Sequence, residues 1–129
     1  MAKQFVVQLK NEPGAMASLA EALAARGVDL RAIGGGSMGD SGHVIMTTAD
    51  DDAARAVLDD GGYVYIEGES ILAEVDDKPG GMARLSRALA DAGVNIIGHL
   101  FLGRWGDRAM FTFVVDKPDV ARPILERKG

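Results

Sequence analysis

The sequence predicts an α+β protein built from two copies of one small module, and three observations predict it. The stretch Asn11-Glu12-Pro13-Gly14-Ala15-Met16 returns as Asp77-Lys78-Pro79-Gly80-Gly81-Met82, an offset of 66 residues from Pro13 to Pro79. The register holds downstream, where Leu19, Leu23, Gly27 and Val28 recur as Leu85, Leu89, Gly93 and Val94. In the first copy, runs of β-formers and helix-periodic segments follow one another in the order βαββαβ. A repeat of this length has the size of a small domain rather than of a solenoid unit. The predicted modules are therefore 1–68 and 69–129.

The elements follow in order. Phe5-Val6-Val7-Gln8-Leu9 alternates, with Phe5, Val7 and Leu9 on one face, and predicts a strand. Pro13 fits a first helical turn, so the helix is expected to begin there, with Asn11 placed to accept backbone N–H bonds. Met16, Leu19, Ala20, Leu23 and Ala24 form its apolar stripe, and Gly27 ends it. Leu30 to Met38 predicts a strand containing Gly34-Gly35-Gly36, which reads equally as a loose edge or as a place where a ligand or second backbone comes close. After the turn Gly39 to Gly42, His43 to Thr48 predicts the next strand. Asp50 to Asp52 precede a helix over Ala53 to Leu58, where capping and dipole complementation explain the acidic run more simply than a metal does. Tyr63 to Ile66 completes the copy.

The second copy repeats this plan with Ile71 to Val75, a helix after Pro79, a strong apolar strand over Asn95 to Leu102, a turn Arg104-Trp105-Gly106-Asp107, and Met110 to Val115. The last helix follows at an offset of 67, carrying Pro123 where helical bonding is under way, which is expected to shorten or kink it. No counterpart of Tyr63 to Ile66 follows.

Composition limits the function. The chain has 129 residues, 47% of them hydrophobic and 26% charged, ordinary values for a globular protein. A formal charge of −5 opposes nucleic acid and anionic membranes as partners. Without cysteine there are no disulfides, thiolate metal sites or cysteine nucleophiles. The apolar run after Gln4 is neither a signal peptide nor long enough to span a bilayer, so the expected compartment is the cytoplasm. His43 and His99 lie in apolar strands with no neighbouring metal or nucleophile motif, and no serine lies in a Gly-x-Ser-x-Gly context. An enzyme is not expected, nor a metal or cofactor. Phe111-Thr112-Phe113-Val114 lacks the Arg/Lys-Gly of an RNA-recognition strand, leaving core or interface packing as its role.

The acidic-or-amide, any, Pro, Gly pattern opening an apolar helix, followed by Gly-Val-Asp/Asn-Leu/Ile, resembles the ACT domain, a regulatory module that binds amino acids. The chain is most similar to stand-alone tandem ACT proteins. The resemblance implies a ferredoxin-like fold with strand order 4-1-3-2. It also implies an effector site at the loop before each first helix, facing a neighbouring module, with a regulated enzyme or regulator as partner. The candidate ligand-binding residues are thus Asn11, Glu12, Pro13, Gly14, Ala15 and Met16, with Asp77, Lys78, Pro79, Gly80, Gly81 and Met82. Helix N-termini offer unpaired N–H groups to a carboxylate, while Asn11 or Asp77 can accept bonds from an ammonium group or simply cap the helix. The charge of Asp77 and the cation of Lys78 lead to the expectation that the second copy binds more tightly. An interaction module without ligand is the alternative, and a small enzyme comes third.

Two expectations concern assembly. Joining the modules edge to edge through their second strands requires crossing about 29 Å, whereas the linker Glu67 to Ser70 reaches at most about 14 Å. Tyr63 to Ile66 is therefore expected to form a hairpin with Ile71 to Val75 in one seven-stranded sheet. At least one of the open edges Leu30 to Met38 and Asn95 to Leu102 is expected to join a homodimer.

Overall fold

The computed structural model describes residues 2–126; Met1 and residues 127–129 of the predicted modules lie outside the described residues. The chain divides into two compact units, Ala2–Glu67 and the residues from Gly68 onward.

The first unit runs β1 (Lys3–Lys10), α1 (Ala15–Ala25), β2 (Leu30–Met38), β3 (Ser41–Thr48), α2 (Asp51–Asp60) and β4 (Tyr65–Glu69), the last ending in the second unit. Its sheet has the order β2-β3-β1-β4, the ferredoxin-like 4-1-3-2. Alternation along β1 buries Phe5 and Val7 completely, where they meet Leu19 and Leu23 of α1, Met46 of β3 and Leu58 of α2. Each such side chain contributes about 1.5–3 kcal/mol relative to exposure. Asp50 caps α2 by accepting from the Ala53 N–H at 3.0 Å. Arg55 of α2 donates to both carboxylate oxygens of Glu67, each at 2.7 Å, which fastens the end of β4 to the helix.

The second unit contains β5 (Ile71–Asp76), α3 (Gly81–Asp91), β6 (Ile96–Trp105), β7 (Arg108–Val115) and α4 (Pro118–Leu125). Among the described residues its sheet has three antiparallel strands, β5-β7-β6. Ile71, Leu89, Phe113 and Leu125 lie in its own core. Helix α4 continues through Pro123 to Leu125, so the proline removes one donor without ending the helix.

Three expectations are corrected. The sheets are separate: β4 pairs beside β1, β5 beside β7, and no seven-stranded sheet forms. The reason is that β4 extends to Glu69 and β5 begins at Ile71. Ser70 alone is too short for a hairpin loop, which needs at least two residues. The chain instead carries Gly68 against Val114 of β7, so close that a Cβ at Gly68 would meet Val114 Cγ1 at 2.7 Å. Second, α1 begins at Ala15 rather than Pro13, behind a left-handed Gly14 and without a side-chain cap. Third, β6 runs on to Trp105, which makes Arg104 a strand residue and confines the turn to Gly106 and Asp107.

Candidate functional site

Each predicted loop leaves the end of a first strand and enters a helix through glycine. Gly14 has φ 89° and ψ −13°, Gly80 φ 90° and ψ −11°, a left-handed geometry that an L side chain resists. The hydrogen bonds repeat with the sequence offset. Glu12 N–H donates to Lys10 O and Ser18 N–H to Gly14 O; Lys78 N–H donates to Asp76 O and Arg84 N–H to Gly80 O. Neither helix has a side-chain cap, so the first-turn N–H groups of α1 and α3 are left without intrahelical partners.

Asn11 and Asp77 do not cap these helices. Both reach across to the turn between the second and third strands. Asn11 N–H donates to Asp40 O at 3.0 Å and its amide Nδ2 to Gly39 O at 2.9 Å. Asp77 N–H donates to Asp107 O at 2.8 Å, and its carboxylate accepts from Arg104 Nε at 2.8 Å. The side-chain bond of Asn11 leaves its amide oxygen as an acceptor.

The two loops differ in what surrounds them. In the first unit a cleft of about 390 Å³ separates the loop from β2, the edge strand. Asn11, Glu12, Ala15 and Met16 line one side and Ile33 to Ser37 the other, with Val44 among the residues at its base. Pro13 and Gly14 shape the loop without lining the cleft. Gly35 pairs with Val44, and a Cβ at Gly35 would meet His43 O at 2.2 Å, so strand packing requires glycine there. A second cleft, about 570 Å³, borders the same loop beside Tyr63 and Val64.

In the second unit the corresponding strand positions carry large side chains. Phe101 pairs with Phe111 as Gly35 pairs with Val44, and its ring meets Phe111 edge-on with centroids 5.5 Å apart. The Arg104 guanidinium lies 4.8 Å above the Phe101 ring centroid. Arg84 pairs with Asp76 at 3.4 Å, and Arg108 also holds Asp76. In the first unit the residues at the equivalent places are Lys10 for Asp76, Asn11 for Asp77, Ser18 for Arg84, Ser37 for Arg104 and Ser41 for Arg108. None of these five residues of the first unit joins an ion pair (among the described residues). Gly81 is buried with its Cβ position 2.2 Å from Asp76 O, so the helix start sits tightly on the strand end; Ala15 stands at that place in the first unit. Met82 packs on the second core, while Lys78, Pro79 and Gly80 are exposed.

The carboxylate expected to receive an ammonium group is thus occupied by Arg104. That geometry opposes the expectation of tighter binding in the second copy. Phe101 stands at the loops' 66-residue offset from Gly35, whereas Arg104 is 67 residues from Ser37 and is brought to the matching place by strand pairing. His43 and His99 are both exposed. Among the described residues no group of three or more acidic or histidine side chains is placed to hold a metal ion, and no helix is long and apolar enough to cross a membrane.

The family model of the ACT domain matches residues 70–127. Those residues are an ACT domain. No curated protein matches the sequence. Among solved structures, a Bacteroides thetaiotaomicron protein is similar with TM-score 0.75 at 22% identity, over 97% of this chain and 86% of that one. The ligand-free regulatory subunit of aspartate kinase from Thermus thermophilus is similar with TM-score 0.59 at 21% identity, over 95% and 89%. The aspartokinase alpha and beta subunits give 0.64 at 15% identity, over 96% and 89%. At these identities the likeness is one of fold, and it extends across both units, from the ACT domain into the first βαββαβ unit.

Proposed function

We propose that the chain is a regulatory protein of two ACT modules, 1–68 and 69–129, that binds a free amino acid in the first-copy cleft and acts by changing its assembly or its grip on a regulated enzyme or regulator. The observation that carries this reading is the cleft between the Asn11–Met16 loop and Gly34-Gly35-Gly36. It brings together uncapped helix N–H groups suited to a carboxylate, the free amide oxygen of Asn11 suited to an ammonium group, and the open edge of β2. Its volume suits a small ligand, at the low end of ordinary pockets. The resemblance to the regulatory subunit of aspartate kinase supports the same reading. The role is regulatory rather than catalytic, in the cytoplasm.

One observation favours a second reading, an interaction module without ligand. Edge strand β6 exposes Ile97, Phe101, Leu102 and Trp105, the kind of edge that pairs with another chain.

The test is thermal denaturation against each of the twenty amino acids at millimolar concentration, followed by calorimetric titration of any that stabilise. Ligand at about 100 times its Kd adds about 2.7 kcal/mol. Ala15→Leu, which places a larger side chain in the first cleft, is expected to abolish that gain. No shift with any amino acid overturns the proposal in favour of the interaction module.

A further inference from the structure

We propose that the second loop is a cation site held shut by the chain's own Arg104, and that removing this side chain opens it to a small organic cation of the guanidinium or ammonium class. The inference deepens the loop-site reading above and rests on it for the equivalence of the two loops.

Two groups converge on the Arg104 guanidinium. Asp77 supplies a carboxylate at 2.8 Å from Nε, and Phe101 supplies a ring face at 4.8 Å. Phe111 fixes that ring edge-on from the neighbouring strand. A carboxylate beside an aromatic face is how proteins recognise an organic cation. Here the cation is tethered. It is held on a strand of the same unit, whereas the first unit has Ser37 in that place and an open cleft. The adjacent Asp76 is already taken by Arg84 and Arg108, which leaves Asp77 as the acceptor set aside for this one group. Lys78, next in sequence, is the like charge an incoming cation would face. The Arg104 side chain is 62% exposed, so it can leave without opening the core.

The experiment titrates the full chain with ethylguanidinium at constant ionic strength, by calorimetry and by the NMR shifts of the Phe101 ring, in wild type and in Arg104→Ala. The expected result is saturable binding to the variant at least about tenfold tighter than to wild type, with the Phe101 ring resonances moving. Adding Asp77→Asn to the variant should abolish it, and Arg104→Lys should keep the site closed. Should Arg104→Ala fail to fold, Arg104→Gln makes the same comparison. Equal binding by wild type and variant, or binding by the variant that survives Asp77→Asn, overturns the proposal. Because the probe is not an amino acid, failure of the twenty-amino-acid scan leaves this result readable. Success of that scan with no ethylguanidinium binding refutes this inference alone.

Discussion

Replacing Gly35 by alanine tests whether strand packing requires glycine in the wall of the first cleft. In most strands the change is favourable by about 0.5–1 kcal/mol, because glycine loses more backbone freedom on folding. At Gly35 the new Cβ would lie 2.2 Å from His43 O and 3.2 Å from Val44 Cα, both backbone atoms of the paired strand. Relief requires β2 and β3 to part by about 1 Å, and forced overpacking of this kind costs about 1–3 kcal/mol. The net expectation is destabilisation of about 1–2 kcal/mol. Gly36→Ala is the internal control, since a Cβ there meets nothing within 4 Å. Amide hydrogen exchange at Val44 and Met46, in the core strand β3, reads the difference. Gly35→Ala should speed their exchange about fivefold to thirtyfold, while Gly36→Ala leaves it unchanged or slower. Equal behaviour of the two variants would refute the argument from close approach.

Other outcomes follow from the same structure. Asp50→Ala, which removes the acceptor of the Ala53 N–H, should cost about 1 kcal/mol in a urea titration; Asn11→Ala, which caps no helix, should not unfold α1 in far-ultraviolet circular dichroism. Leu19→Ala, at a completely buried position, should cost about 2.7–5 kcal/mol by the same titration. Glu67 has its carboxyl held below the ordinary range, chiefly by hydrogen bonding from Arg55. Its contribution is complete above the ordinary carboxylate range near 4.5 and is lost as pH falls through that range and then through the lower folded value. The gap between wild type and Glu67→Gln should therefore shrink on acidification, and a gap independent of pH would count against the Arg55 clamp. Sedimentation at tens of micromolar should show a homodimer, and Leu102→Lys on the β6 edge should shift it toward monomer.

The fold was legible where local pattern and burial agree. Alternation placed Phe5, Val7 and Leu9, helical spacing placed Leu19 and Leu23, and Leu30 to Met38 has the bounds that the sequence predicts. What escaped was set by distant partners. Ser70 is a linker residue in either topology, and only the extension of β4 to Glu69 excludes the hairpin. Asn11 has the residue type of a helix cap, yet its amide is drawn to Gly39, 28 positions away. The loops were legible as a pair because their motif repeats. Phe101 matches Gly35 at the same offset, but Arg104 does not match Ser37 until a bulge beside Gly103 brings it into register, so that part of their difference was not legible.

The two core clusters have no residue in common. Substitutions without shared partners act independently, so a change that tightens one core needs no answer in the other. For a segment that occurs twice in one chain, this loosens the constraint that would keep the copies alike. One copy is stitched, with Gly81 settled on Asp76 and arginines drawn to its acidic loop, while the other has an alanine and three serines at the matching places. A single chain thus carries one shape twice and differs in the chemistry at its mouth.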